Sequence, residues 1–139
     1  MESRQEATLA VARTLMQNFD MKTWFGLLHD DLVLEFPFAE SIGMPARIVG
    51  KKDCVTYLNK VMEALPGLKF RDIDIMPTPD PQSLVLEYKG GADTAFGHYE
   101  NVYAAFHQYR DGRLILVREY WNTKPVLDTF GANPGAAFI

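Results

Sequence analysis

The sequence predicts an α+β fold in which helices pack on one face of a curved antiparallel sheet. Two stretches with apolar residues at helical spacing open the chain, and a third follows one short strand-like stretch. The second half then holds four strand-like stretches separated by turn residues. Helices that precede a run of sequential strands are typical of α+β proteins, in which the helices collect on one face of the sheet.

Helical spacing defines three helices in the first half of the chain. Residues 3–19 form the first, with apolar side chains on one face and charged ones on the other. Asp20 caps a second, shorter helix that ends near His29, whose charge would suit the helix dipole. The third spans about 51–65 and stops at Pro66-Gly67.

The first strand is predicted at 32–38, where Pro37 marks an edge strand or a strand end. Residues 41–50 are predicted as a loop because Gly and Pro punctuate them. Two further strands are predicted at 68–76 and 83–89, with a proline-rich turn between them at 77–81. A flexible connection follows at 90–97.

The stretch 97–122 is predicted as two long strands joined by a tight turn at Asp111-Gly112. Glycine accepts the positive φ that a short hairpin turn requires, so this dipeptide is a strong hairpin signal. A short helix is predicted at 126–130, and the tail 131–139 is expected to be loose or docked on a neighbouring molecule.

Length and composition limit the classes of protein to consider. The 139 residues fit one domain, 1–139, and the 17 aromatic residues (nine Phe, six Tyr, two Trp) favour an aromatic-lined cavity. A net charge of -4 argues against nucleic acids and anionic membranes as partners. Cys54 is the only cysteine, which excludes a disulfide framework. Without a secretion signal or a membrane-spanning stretch, we expect a cytoplasmic protein.

Glu119 is the strongest candidate for chemistry, because it alternates along the last predicted strand with Ile115, Val117 and Trp121. Alternate residues share one face of a strand, so this carboxylate has apolar neighbours. In a pocket it would be desolvated, its pKa would rise, and it would transfer protons near neutral pH. The alternative is a solvent-facing glutamate paired with Arg118 or another basic side chain.

Tyr99, Asn101 and Tyr103 lie on one face of the preceding strand and could donate hydrogen bonds to a carbonyl oxygen that gains charge. The alternative is that the rings pack while their hydroxyls meet water. If the strand register shifts by one residue, the inward set is instead His98, Glu100 and Val102.

Three segments carry a resemblance that covers most of the chain: HDDLVLEFPF, PARIVGKKDCVTYL and HYENVYAAFHQYRDGRLILVREYWN. They resemble the nuclear-transport-factor-2-like superfamily and, within it, SnoaL-like polyketide cyclases and phenazine-biosynthesis A/B-type proteins. This resemblance implies a cone-shaped, cystatin-like α+β barrel in which a bent sheet wraps over the N-terminal helices, with a homodimer formed through the outer sheet face. The superfamily hosts enzymes, binding modules and adaptors, so fold alone does not decide function.

The resemblance also assigns individual positions. Phe36, just before Pro37, stands where the superfamily's steroid isomerases have their catalytic base, and Ala104 or Ala105 stands near their oxyanion-hole acid. Neither residue type can do that work, which argues against steroid isomerisation. Glu119 matches the pocket glutamate of the phenazine-type proteins, whereas the aspartate of SnoaL-like cyclases has no clear match.

Further candidates are supporting residues. The resemblance places Arg47 near the pocket mouth, where it would clamp a carboxylate or enolate, although a surface arginine is the commoner outcome. His98 borders the glycine-rich connection and would reach the pocket. Large aromatic side chains either line the cavity or pack in the core; these are Trp24, Phe36 and Trp121.

These residues lead to the hypothesis of a cofactor-independent isomerase, cyclase or dehydratase acting on a small, apolar, natural-product-like substrate. Glu119 would transfer the proton, a tyrosine or Asn101 would hold the oxygen, and the large aromatic residues would exclude water. The three histidines show no metal-ligand spacing, so no metal or cofactor is expected. The alternatives are a non-catalytic protein that binds or carries a small ligand and, less favoured, an adaptor that uses the outer sheet face.

Overall fold

A computed structural model describes residues 3–138, and in this range the chain forms four α-helices and six β-strands. The helices are α1 (Arg4–Gln17), α2 (Met21–Trp24), α3 (Lys51–Ala64) and α4 (Thr123–Phe130). The strands are β1 (Leu28–Glu35), β2 (Arg47–Val49), β3 (Lys69–Pro77), β4 (Ser83–Thr94), β5 (Gly97–Arg110) and β6 (Arg113–Trp121). Single 3₁₀ turns lie at Phe25–Leu27, Glu40–Ile42 and Pro134–Ala137.

The strands form one curved sheet in the order β2-β1-β6-β5-β4-β3. Neighbouring strands are antiparallel except β1 and β6, which run parallel. The two outer strands β2 and β3 are not paired with each other, so the sheet bends into a cone without closing. The predicted α+β fold is confirmed, including its four sequential antiparallel strands. None of the described helices is long and apolar enough to cross a membrane.

The region between α2 and β1 differs from the sequence prediction. Asp20 does cap α2, since its carboxylate accepts a hydrogen bond from the Thr23 backbone N–H at 2.7 Å. However, α2 ends at Trp24, and β1 already begins at Leu28. His29 therefore lies in a strand instead of at a helix end, and its Nδ1 atom accepts the Asp31 backbone N–H at 3.0 Å.

Two segments predicted to be irregular are strands. Residues 47–49 form β2, which pairs with the end of β1 before Pro37. The stretch 90–94 continues β4 instead of forming a flexible connection. A side chain at Gly90 would lie 3.2 Å from the rings of Phe70 and Tyr103. This glycine therefore makes room for aromatic packing and is not a sign of flexibility.

A β-bulge in β6 changes which residues share a face with Glu119. Pairing with β5 shifts between Gln108 and Tyr109, so that Leu114 and Val117 both face the core although they lie three residues apart. Ile115 falls inside this irregularity and leaves the inward row. The prediction that Ile115 lies on the face of Glu119 was wrong for this reason.

The inward face of β5 follows the first of the two registers considered. Alternate residues are buried along the whole strand, and their neighbours Glu100 and Val102 are exposed. The buried residues are Tyr99, Asn101, Tyr103, Ala105, His107 and Tyr109.

The described part of the C-terminal tail packs on the protein itself. Phe138 is buried, with its ring centroid 5.3 Å from that of Phe130. Gly135 lies so close to the loop after β1 that a side chain there would be 2.6 Å from the carbonyl oxygen of Gly43. The prediction of a loose tail or one docked on a neighbour was thus wrong for residues 134–138, and position 139 lies outside the described residues.

Candidate active site

A cavity lies between the concave face of the sheet and the helices, and it holds about 850 Å³ of empty space, including its open mouth. Its wall is almost entirely apolar and aromatic. Among residues 3–138, the ionisable side chains in this wall are four tyrosines, one histidine and one glutamate, with no lysine or arginine: Tyr57, Tyr88, Tyr99, Tyr103, His107 and Glu119.

Glu119 is the one carboxylic acid that the described part of the chain contributes to the cavity wall. It lies on β6 directly opposite Ala105 of β5, and its half-buried side chain borders the cavity. The Tyr88 hydroxyl donates a hydrogen bond to its Oε2 atom. Burial raises the pKa of Glu119 from 4.5 to about 7, and the hydrogen bond from Tyr88 opposes this rise by favouring the charged form.

Stacked aromatic rings fix the position of the hydroxyl that contacts Glu119. Tyr88 and Tyr103 face each other across β4 and β5, with ring centroids 5.1 Å apart and planes inclined by 15°. Phe70 of β3 packs edge-on against both rings. Burial raises the pKa of both tyrosines well above the usual value, so both are neutral hydroxyl donors at physiological pH.

A hydrogen-bonded chain leaves one tyrosine hydroxyl proton free for the cavity. Asn101 Nδ2 donates to Tyr99 Oη at 2.9 Å, and the hydroxyls of Tyr99 and Tyr103 are 2.7 Å apart. The bond between the two hydroxyls uses one of their two protons, whichever residue donates it. The other proton remains available to an acceptor in the cavity that both tyrosines line.

Asn101 supports this chain from behind the cavity wall. Its Nδ2 atom also donates to the Asn122 carbonyl oxygen at 2.9 Å, and its Oδ1 atom accepts the backbone N–H groups of Val102 and Asn122. All four hydrogen-bonding positions of the amide are therefore occupied within the protein. Direct contact of Asn101 with a substrate was predicted, but Asn101 is absent from the residues that line the cavity. Its amide orients Tyr99 and anchors the start of α4.

The structure brings six of the nine nominated residues to the cavity: Trp24, Phe36, Tyr99, Tyr103, Glu119 and Trp121. Besides Asn101, two others lie elsewhere. The Arg47 side chain is 61% exposed on β2, with Nε 3.6 Å from Glu35 Oε2. His98 lies on the outer face, where its ring nitrogens contact Asp93 at 2.7 Å and Glu100 at 3.1 Å.

Several cavity residues were absent from the sequence-based selection. Tyr88 could have been found, because it alternates with Leu84 and Leu86 along a predicted strand. His107 could have been found in the same way, because it alternates with Tyr103 and Ala105 along β5. Tyr57 carried no comparable signal. The C-terminal contribution was also missed, and it consists of Val126, Phe130 and Phe138.

The chemistry of the described residues does not point to a bound metal ion. Within 3–138, no three or more His, Cys, Asp or Glu side chains cluster in a way that would hold one. Cys54 is buried on α3, where its Sγ atom lies 3.5 Å from the carbonyl oxygens of Leu32 and Ile48. Burial raises the pKa of this thiol to about 11, as expected for a cysteine that acts as a small apolar side chain.

Comparison with known proteins identifies the class to which this fold and cavity belong. The SnoaL-like domain model matches residues 10–117. The chain belongs to the SnoaL-like domain family.

Individual relatives agree with this assignment. The chain is 31% identical over 127 residues to the uncharacterized PhzA/B-like protein PA3332 of Pseudomonas aeruginosa, covering 90% of this chain and 89% of that one. It superposes with a TM-score of 0.81 and 28% identity on a solved structure from Bacillus subtilis described as a "Putative Isomerase", covering 94% and 97% of the two chains. A phenazine biosynthesis-related protein of Pseudomonas aeruginosa shares the fold, with a TM-score of 0.80, 19% identity, and coverage of 91% and 86%.

Proposed function

We propose that this protein is a cofactor-independent isomerase, cyclase or dehydratase that uses Glu119 as its acid/base group on a small, apolar, natural-product-like substrate. The observation that carries the proposal is the Glu119 carboxyl group, which borders an apolar cavity with its pKa raised to about 7. A group with a pKa near the working pH is populated both as base and as acid, which suits proton transfer in either direction.

The first step of the proposed reaction removes a proton from a carbon beside a carbonyl group. One Glu119 oxygen takes the proton, and the electron pair of the C–H bond moves toward the carbonyl oxygen to give an enolate. The free proton of the Tyr99–Tyr103 pair then donates a hydrogen bond to this oxygen, where the negative charge develops. Because the donors are already oriented by Asn101, little reorganisation is needed.

The second step decides among the three reaction classes. In an isomerisation, Glu119 returns the proton to a different carbon of the enolate. In a cyclisation, the enolate carbon attacks a second carbonyl carbon of the same molecule, the π electrons of that carbonyl move to its oxygen, and this oxygen takes the proton from Glu119. In a dehydration, a hydroxyl group on the neighbouring carbon leaves as water and takes its proton from Glu119. All three require the same acid/base group and the same oxygen donor.

The relatives support this range of reactions without narrowing it. A SnoaL-like family assignment, together with the Bacillus subtilis structure described as a "Putative Isomerase", favours a cyclase or isomerase role. The second candidate is a non-catalytic protein that binds or carries a small ligand. It is favoured by the predominance of aromatic and aliphatic side chains in the cavity wall, since ligand-binding cavities are typically lined in this way.

A titration of the carboxyl carbons by NMR tests the central assignment. In the wild type we expect one glutamate resonance to titrate near pH 7, and this resonance should be absent in Glu119→Gln. Tyr88→Phe removes the hydrogen bond that favours the charged form, so the pKa of Glu119 should rise further in that variant. Titration of Glu119 near 4.5, or a lower pKa in Tyr88→Phe, would contradict the proposal.

We also propose that two copies of this chain form a homodimer through the outer face of the sheet. This outer patch joins apolar residues of the three strands β4, β5 and β6, with Val85 opposite Phe106 and Ala104 opposite Tyr120. Val102 lies beside them and is 54% exposed. Exposed apolar side chains gathered on one face of a sheet in this way favour an interaction site.

The outer patch predicts a sharp difference between two similar substitutions. Val102→Glu introduces a charge into the proposed interface and is expected to give a monomer in sedimentation velocity at micromolar concentration. Val49→Glu is the matched control, because Val49 is equally exposed but lies on the edge strand β2. A monomeric wild type, or a dimer that survives Val102→Glu unchanged, would rule out this interface.

A further inference from the structure

His107 lies in the cavity wall beside Glu119 and has no part in the proton transfer described above. Ala105 lies opposite Glu119, and His107 follows two residues later on the same face of β5, opposite Val117. Diagonal neighbours of this kind have Cα atoms about 7–8 Å apart. Glu119 on β6 therefore lies opposite a point on β5 that is midway between Tyr103 and His107.

A hydrogen bond with Tyr109 fixes which nitrogen of His107 carries the proton. The His107 Nδ1 atom is 2.8 Å from Tyr109 Oη, and both side chains are buried. If Nδ1 donated this bond, the phenolic proton of Tyr109 would have no acceptor among the described residues. A phenol hydroxyl is also a better donor than a neutral imidazole N–H, and an unprotonated imidazole nitrogen is a better acceptor than a phenol oxygen. Tyr109 is therefore the donor, and the proton of His107 is on Nε2.

The Nε2–H group is directed at the cavity. Among residues 3–138, no buried side-chain nitrogen or oxygen atom is without a hydrogen-bond partner, yet His107 bonds only through Nδ1. Its Nε2 atom therefore keeps a small accessible surface although the residue as a whole is only 2% exposed, and the open space next to His107 is the cavity that it lines. Burial lowers the pKa of this imidazole to about 3, so the ring stays neutral and acts as a donor throughout the physiological range.

We propose that the His107 Nε2–H group binds a carbonyl oxygen of the ligand, and that this ligand is an uncharged ketone or enone. The inference deepens the proposed function by naming the substrate class and a second binding group. His107 and the Tyr99–Tyr103 pair provide oxygen-binding positions on both sides of Glu119, so a carbonyl group is held beside the carbon that loses its proton.

The charges in the cavity wall exclude a carboxylate or phosphate as the ligand. Neither lysine nor arginine contributes to the described wall, so an anion would lose its hydration without gaining a counterion. Ionised Glu119 would repel it as well, because like charges interact strongly in a site from which water is largely excluded. An uncharged carbonyl compound avoids both penalties.

Nitrogen NMR of the imidazole tests the fixed tautomer without any ligand. In the wild type we expect His107 to show a protonated Nε2 and an unprotonated Nδ1 from pH 5 to 8. Tyr109→Phe removes the donor to Nδ1, and a mixture of tautomers should then appear. A wild-type ring protonated on Nδ1, or one that becomes cationic in this pH range, would overturn the inference while leaving the role of Glu119 intact.

Infrared spectroscopy of a bound ketone tests the contact itself. The probe is 2-tetralone, and the comparison compound is the carboxylate of the same ring system, tetrahydro-2-naphthoate. The wild type should bind the ketone at least about tenfold more tightly than the carboxylate at pH 8. The carbonyl stretch of the bound ketone should lie at lower frequency than in His107→Phe, which removes the donor and should weaken binding by about tenfold.

Two further variants separate this inference from the proposed function. His107→Gln places an amide N–H near the position of Nε2, and it should restore the low carbonyl frequency that His107→Phe loses. Glu119→Gln should keep both the affinity for 2-tetralone and the low frequency, even though proton transfer is lost. Equal carbonyl frequencies in the wild type and His107→Phe would overturn the proposed contact. A wild type that prefers the carboxylate, or binds neither compound, would overturn the substrate class.

Discussion

Glu119→Gln is expected to slow the exchange of α-protons in an uncharged ketone by about 10² to 10⁴-fold, the usual contribution of a general acid/base group. Glutamine keeps the size of the side chain and can still accept the hydrogen bond from Tyr88. It cannot take up a proton from carbon. The substitution therefore removes proton transfer while leaving the cavity wall nearly unchanged.

Exchange of the α-protons of 2-tetralone with D₂O, followed by proton NMR, measures this step without knowledge of the natural substrate. In the wild type the rate should increase with pH up to about 7 and then level off, because the base is the ionised carboxyl group. Glu63→Gln is the matched control, since it makes the same chemical change on the exposed face of α3. This control should exchange the ketone at the wild-type rate.

The outcomes of the exchange experiment distinguish the two candidate functions. Wild-type exchange that persists in Glu119→Gln would show that another group is the base. A wild type that binds 2-tetralone but leaves its α-protons unexchanged would favour the binding or carrier protein. In that case, a ligand of the protein should also be recovered chemically unchanged in mass spectrometry after incubation.

Glu119→Gln is also expected to increase the free energy of unfolding above pH 7. The pKa of Glu119 is about 7 in the folded protein and near 4.5 in the unfolded chain. The unfolded state therefore loses its proton first as the pH rises, and the folded state becomes progressively less stable between these two values. The full difference of about 3 kcal/mol applies above pH 7 and disappears below pH 4.5. Glutamine carries no charge at any pH and avoids this loss.

Urea denaturation at pH 4 and pH 8 measures this effect. The stability difference between Glu119→Gln and the wild type should be larger at pH 8 than at pH 4 by up to about 3 kcal/mol. Glu63→Gln is the matched control in this experiment as well, because it makes the same chemical change at an exposed side chain. If the stability difference between Glu119→Gln and the wild type is no larger at pH 8 than at pH 4, the wild-type carboxylate is well solvated.

Alternation along the strands was sufficient to predict much of the cavity wall. A period of two along β5 and β6 placed Tyr99, Tyr103, Glu119 and Trp121 on one side of the sheet, and the structure brings these four residues together. The same rule failed at Ile115, because a bulge adds a residue to one strand without any mark in the sequence. Local pattern therefore predicts a face only as far as pairing remains regular.

Residues whose environment is set by distant parts of the chain could not be placed from the sequence. Gly90 was interpreted as a sign of flexibility, but the rings of Phe70 and Tyr103 occupy the space next to its Cα that a side chain would need. Arg47 was assigned to the cavity mouth, but pairing of β2 with β1 directs it to Glu35 instead. Phe138 belongs to the cavity wall only because the tail folds back against α4 and the loop after β1. Such contacts depend on tertiary packing, which spacing along one segment does not encode.

Glu119 and His107, which both line the cavity, have a joint effect on the proton balance of unfolding. Both are uncharged in the folded protein between pH 4.5 and 6.5, since burial raises the pKa of Glu119 to about 7 and lowers that of His107 to about 3. In the unfolded chain over this interval, the carboxyl group releases a proton and the imidazole takes one up. Their contributions to the pH dependence of stability therefore cancel, with slopes of opposite sign. Folding converts a separated pair of charges into two neutral groups, and in mildly acidic solution this neutralisation requires no proton from the solvent.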